Sequence, residues 1–256
     1  MTEVAIAGPN ERIRLTPMRR RIAAHMTESK ATSPHVGMGA EIDCTAVDVA
    51  RSVFGGAWRA REGYGLSYLP FLAWALCRAL EAHPRLNASI DDTELVVHQN
   101  IHLGVAVDLD HEGLIVPVIR DAGERSVADL AREIRRMSTA ARSKDLTPDD
   151  VVGGTFTISN PGPFGTLFTI PIINQPQVGI LSTEGVTRRA VVVEDEAGER
   201  IEIRPVGIIV QSFDHRALDG AYSASFLHHL SQVVQDTDWI ANLEQDGLDC
   251  DVEPSS

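Results

Sequence analysis

His215 and Asp219 stand four residues apart in the run Gln211-Ser212-Phe213-Asp214-His215-Arg216-Ala217-Leu218-Asp219-Gly220. An imidazole titrating near neutrality can take a proton from an attacking thiol or hydroxyl and return it to a leaving group. That chemistry requires His215 to be presented, not buried. The flanking pattern supplies the means: a strand-like apolar run, Val206 to Val210, leads in, and a helix-like run, Ala221 to Val234, leads out. The His-x-x-x-Asp-Gly spacing is weak by itself and gains its force from this strand-to-helix setting. Neither a cysteine nor a serine adjoins His215, so no covalent acyl-enzyme is required.

The elements that must position this turn are readable along the chain. Thr16-Pro17 opens a helix with Met18, Ile22, Ala23 and Met26 on its apolar face, Thr being a good cap and Pro suiting the first helical position. Val36 to Val47 reads as a strand broken by Gly37 and Gly39, and residues 52–66 read as a loop. Pro70 opens a helix, Phe71 to Ala82, that is apolar nearly all round and therefore buried. Ile101 to Val107 and Leu114 to Ile119 form a hairpin-like pair. Ser126 to Arg142 is the clearest helix, with Val127, Leu130, Ile134, Met137 and Ala141 at helical spacing and a capping-box-like start. Strands are expected at Thr155–Ser159, Val178–Leu181, Ala190–Val193, Ile201–Ile203 and Val206–Val210. A shaped Pro/Gly-rich loop fills 160–176, and Asp195–Glu199 is a turn. The order predicts a mixed-sheet α/β or α+β domain over residues 12–243, with a loose arm at 1–11 and an acidic tail at 244–256.

Composition narrows the function. At 256 residues, 43% hydrophobic and 23% charged, the chain can bury a real core. A net charge of -13 argues against nucleic acid or an anionic membrane as partner. An anionic ligand would need a local gathering of Arg or Lys. Cys44, Cys77 and Cys250 show no paired spacing, which implies a reducing cytoplasm with neither disulfides nor a zinc site. No secretion signal or membrane span is visible. His98 and His102 on a strand would stand about 13 Å apart, and the adjacent His228 and His229 point in different directions on a helix, so neither pair suits a metal. Arg132, Arg135, Arg136 and Arg142 read as a solvated helix face.

Several motifs together resemble the catalytic domain of dihydrolipoamide acyltransferases, the acyl-transferring components of 2-oxoacid dehydrogenase complexes. They are Leu15-Thr16-Pro17-Met18-Arg19-Arg20, Gly113-Leu114-Ile115-Val116-Pro117-Val118-Ile119, Gly154-Thr155-Phe156-Thr157-Ile158-Ser159-Asn160-Pro161-Gly162, Pro171-Ile172-Ile173-Asn174-Gln175-Pro176-Gln177, and Asp214-His215-Arg216 with Asp219-Gly220. They follow the family's order over roughly residues 12–235. The resemblance implies the chloramphenicol acetyltransferase-like fold and a homotrimer with each active site between two subunits.

Within that resemblance His215 is the general base, Asp219 holds the turn and orients the imidazole through an arginine, and Ser159 donates to the oxyanion. Thr157, on the same strand face, is the fallback donor. His215 comes from one subunit and Ser159 from its neighbour. Acyl-CoA, most simply acetyl-CoA, is the expected co-substrate, with no metal. The chain shows no lipoyl lysine domain, so the favoured acceptor is a small-molecule hydroxyl, as in stand-alone enzymes of tetronate assembly. Two alternatives remain: a core served by lipoyl domains on another chain, and a non-catalytic trimeric scaffold. Glu244, Asp246, Asp249, Asp251 and Glu253 would crowd a cage contact, which favours a free trimer.

Overall fold

The computed structural model describes residues 11–195 and 198–248. Residues 1–10 of the expected arm at 1–11, the tip of the Asp195–Glu199 turn, and Asp249, Cys250, Asp251 and Glu253 lie outside the described residues.

Helix α1 (Pro17–Thr32) leads to strand β1 (His35–Asp43), then α2 (Thr45–Glu62) and α3 (Leu69–Ala82). Six short strands follow: β2 (Ala88–Asp91), β3 (Glu94–Val97), β4 (Leu103–Val105), β5 (Val107–Asp108), β6 (Leu114–Ile115) and β7 (Val118–Ile119). The remainder is α4 (Val127–Ser143), β8 (Phe156–Ser159), β9 (Gly179–Thr183), β10 (Thr187–Asp195), β11 (Gly198–Asp214), α5 (Gly220–Asp236) and α6 (Trp239–Gln245). The main sheet runs β1-β11-β9-β8-β4-β7, with β10 paired to the outer half of β11. Strands β4, β8 and β9 are parallel and the other pairings antiparallel. This is the mixed α/β sheet with flanking helices that the sequence predicts.

Alternation divides the sheet into two faces. Phe156, Ile158, Leu181 and Phe213 turn to the helices, where Phe156 meets Phe226 of α5 with ring centroids 6.4 Å apart. Thr157, Ser159, Ser182 and Ser212 turn the other way, under the loop from Asn160 to Gln177. That loop lies close: a Cβ on Gly37 would fall 2.9 Å from Ile170 Cγ2. Helix α3 is enclosed, with nine of its fourteen residues buried, as its all-round apolarity requires.

Three expectations are corrected. Residues 52–66 are not a loop, because α2 runs to Glu62. Val47, Ala50, Phe54 and Trp58 are fully buried at helical spacing, and their burial outweighs Gly55-Gly56, each about 1 kcal/mol worse than Ala in a helix. The first strand ends at Asp43, before Val47. Ile201–Ile203 and Val206–Val210 are one strand of 17 residues. It passes through Pro205, whose carbonyl accepts from Cys44 N–H at 2.8 Å. The chain stays packed through α6: Trp239, Leu243 and Leu248 are buried, and Asp246 Oδ2 accepts from Ala128 N–H at the start of α4.

Candidate active site

His215 sits on a turn fixed at several points. Its N–H donates to Pro34 O at 3.1 Å, Asp214 N–H donates to Val178 O at 2.8 Å, and Ala217 N–H closes the turn on Asp214 O at 3.0 Å. The backbone is thus tied to the entry of β1 and to β9, while the imidazole stays 47% exposed. A presented ring on an anchored turn is what a general base needs, and it excludes a core histidine. Asp219 Oδ1 lies 4.0 Å from His215 Nδ1, with its side chain 88% exposed.

The arginine expected beside Asp219 is elsewhere. Among the described residues no Arg or Lys pairs with Asp219. Arg216 instead grips Asp214, Nη2 to Oδ2 at 2.7 Å and Nε to Oδ1 at 3.1 Å. Burial alone would raise the Asp214 pKa. Hydrogen bonds from Arg216 and Ser33 outweigh burial and hold it below the ordinary carboxylate value.

Ser159 ends β8, opposite Ser182 of β9. Its carbonyl accepts from Thr183 Oγ1 at 3.4 Å, and its hydroxyl has no partner among the described residues, which leaves the proton available to a ligand. Thr157 is less available: buried, it donates to Gln177 Oε1 at 2.7 Å.

Register separates Ser159 from His215. Ser182 faces Val210 on β11, and His215 is five residues further along that chain. At roughly 3.4 Å per residue that is about 17 Å along the sheet, with two strand spacings of about 4.8 Å across it. One chain therefore cannot bring the Ser159 hydroxyl and the His215 imidazole to the same reacting group.

Sequence reasoning missed the group that ties α1 and β1 to the covering loop. Ser29 Oγ donates to Ile173 O at 2.6 Å, Gln175 Nε2 donates to Ser33 Oγ at 2.6 Å, and Ile173 N–H donates to His35 Nε2 at 3.0 Å. The signal was present only as scattered polar residues on a helix end. It also missed a division among the α4 arginines. Arg132 pairs with Glu62 and Asp129, and Arg136 with Glu133. Arg135 and Arg142 have no carboxylate partner among the described residues. Both line a cavity of about 310 Å³ beside Tyr64 and Ser67. Arg142 and Ser138 also line one of about 630 Å³ that reaches Asp108, His111, Phe164 and Asn160, the neighbour of Ser159. No helix is long and apolar enough to cross a membrane, and no His, Cys, Asp and Glu cluster suits a metal ion, among the described residues.

Comparison with known proteins adds to this geometry. The family model of the 2-oxoacid dehydrogenases acyltransferase catalytic domain matches residues 7–241. The chain is 40% identical over 228 residues to the dihydrolipoyllysine-residue acetyltransferase component of a pyruvate dehydrogenase complex from Mycobacterium bovis, covering 88% of this chain and 41% of that protein. It is 36% identical over 226 residues to the succinyltransferase component of a 2-oxoglutarate dehydrogenase complex from Bartonella vinsonii, covering 88% of this chain and 54% of that one. The chain thus spans about half the length of these relatives. A solved structure of Azotobacter vinelandii dihydrolipoamide acetyltransferase superposes with a TM-score of 0.82 at 32% identity, covering 92% of this chain and 95% of that one.

Proposed function

Because the chain belongs to the acyltransferase catalytic-domain family of the 2-oxoacid dehydrogenases, we propose that it moves an acyl group between coenzyme A and a dihydrolipoyl thiol. The observation that carries this reading is the presented imidazole of His215 on its anchored turn. His215 takes the proton from the attacking thiol; the thiolate adds to the thioester carbonyl; the Ser159 hydroxyl hydrogen-bonds the oxyanion; collapse expels the second thiolate, which recovers the proton from His215. The Azotobacter enzyme was investigated for the catalytic roles of a serine, a histidine and an asparagine four residues after that histidine, and Asp219 has that same spacing from His215.

The small-molecule hydroxyl acceptor and a role in tetronate assembly gain no support from these relatives, both of which are dihydrolipoyllysine-residue transferases. The thiol acceptor replaces them as the preferred reading, with the lipoyl group supplied from outside residues 7–241. Arg135 and Arg142, two helical turns apart or about 10 Å, are suited to the phosphates of coenzyme A, with its thiol arm directed toward Asn160. The separation of Ser159 from His215 supports a site shared between copies. A homotrimer of the 27.8 kDa chain, about 83 kDa, meets that need. Phe164, Leu167, Phe168 and Ile170, each more than half exposed on the covering loop, offer apolar surface for the contact. A cytoplasmic location fits a coenzyme A substrate.

The test is transfer from acetyl-CoA to free dihydrolipoamide, followed by thioester absorbance, with a primary alcohol as competing acceptor. Thioester formation that needs His215 supports the reading. Ester formation without thioester formation overturns it.

A further inference from the structure

Glu184 has no part in the mechanism above, yet it is a carboxylate only 4% exposed at the Ser159 end of the sheet. Its N–H continues the ladder by donating to Ile208 O at 2.9 Å. Ser182, two residues before it, lies on the same sheet face as Ser159 and directly opposite it. Ser182 Oγ donates to Glu184 Oε1 at 3.1 Å, which draws the carboxylate toward the Ser159 strand. Thr166 Oγ1 donates to Oε2 at 2.5 Å, tying it to the covering loop. The loop seats closely here, since a Cβ on Gly162 would fall 2.6 Å from Gly185 N. No Arg or Lys pairs with Glu184 among the described residues. One strand spacing of about 4.8 Å plus one hydrogen bond puts the carboxylate within roughly 8 Å of the Ser159 hydroxyl.

We infer that Glu184 selects the acyl group: it admits short uncharged acyl chains and excludes dicarboxylic ones. The inference rests on the reading that Ser159 holds the thioester carbonyl. A succinyl group carries its second carboxylate two methylenes from that carbonyl, which brings it toward Glu184. Two carboxylates a few ångströms apart in a site shielded from water repel strongly. Here no cation offsets the repulsion, and the two hydroxyls that face Glu184 already donate to it. Overall similarity does not decide the matter, because an acetyltransferase at 40% identity and a succinyltransferase at 36% are both relatives. A single buried charge beside the carbonyl site does decide it.

The experiment compares acetyl-CoA with succinyl-CoA as donors to dihydrolipoamide, for the native chain and for Glu184→Gln. The native chain should favour acetyl-CoA by at least about 30-fold in kcat/KM, and Glu184→Gln should narrow that preference at least about tenfold by raising succinyl transfer. Glu184→Met, of similar length and apolar, serves if the Gln variant does not fold and should narrow it likewise. Thr166→Val frees the loop and keeps the charge, so its preference should match the native one. An unchanged preference in the folded Gln or Met variant, or equal narrowing in Thr166→Val, overturns the inference. Native failure to transfer from either donor overturns the functional reading beneath it instead.

Discussion

Asp214 and Arg216 clasp each other on either side of His215 in the chain: Arg216 donates from Nη2 to Oδ2 at 2.7 Å, from Nε to Oδ1 at 3.1 Å and from its backbone N–H to Oδ1 at 2.9 Å. The clasp holds the guanidinium on the buried Asp214 carboxylate and leaves the imidazole between them half exposed. Arg216→Met should leave the Asp214 carboxylate, whose side chain is 2% exposed, with only Ser33 and the backbone N–H of residue 216 as donors, and cost about 2 kcal/mol. That is less than a fully buried pair, because the Arg216 side chain is 41% exposed. The pH dependence has a definite sign. Asp214 is depressed below 3.8 in the folded state, so its contribution is present above about pH 4 and is lost as pH falls through the depressed value. Thermal melts from pH 7 to pH 2 should show Arg216→Met losing stability at neutral pH and narrowing its gap to the native chain in acid. A gap constant with pH would contradict this account.

His215→Ala should lower acyl transfer at least about 100-fold and leave the melting temperature within a degree or two, since the ring is half exposed. Ser159→Ala should lower kcat by about 100-fold or more with little change in KM, as for a contact made in the transition state. Steady-state kinetics with both substrates would separate the two effects. An effect of Ser159→Ala on KM alone would reduce Ser159 to a binding group.

Asp219→Asn should retain at least about a tenth of the native rate. Its carboxylate is 88% exposed and 4.0 Å from the imidazole, a weak pair in solvent, and an amide of the same size keeps an acceptor at that place. A loss approaching that of His215→Ala would show that Asp219 acts as a charge on the imidazole.

Arg135→Ala and Arg142→Ala should each raise KM for acetyl-CoA several-fold, combine to more than tenfold, and leave KM for dihydrolipoamide unchanged. Raising the salt concentration should shrink the effect of both. Isothermal calorimetry with coenzyme A reads the same loss directly. Unaltered affinity in the double variant would place the phosphates elsewhere.

The His215 turn was legible in the sequence because three signals coincided there: an imidazole, an apolar run entering and a periodic run leaving. Helix α4 was legible for the same reason, its face repeating from Val127 to Ala141. Helix α2 was not, because Gly55-Gly56 weakens local propensity, and only the tertiary burial of Phe54 and Trp58 compensates. Strand β11 was divided at Pro205, since a missing N–H reads as a break until the partner strands are known. An arginine was expected at Asp219 and not at Asp214, because spacing cannot say which of two nearby carboxylates is buried. Glu184 escaped notice altogether. Nothing local distinguishes it from a surface acid, and its burial depends on a loop that folds back from residues 160–177.

Strand β1 pairs with β11 along its whole length, His35 opposite Asp214 and Asp43 opposite Val206. The partners are more than 160 residues apart in sequence, so the sheet closes only after β11 has left the ribosome. Such long-range pairings set a slow folding step, and this one also carries the anchor of His215, whose N–H bonds to Pro34 O. His215 therefore has no fixed position until β11 docks. A chain interrupted during synthesis before β11 would lack both the turn and the strand that joins β1 to β9.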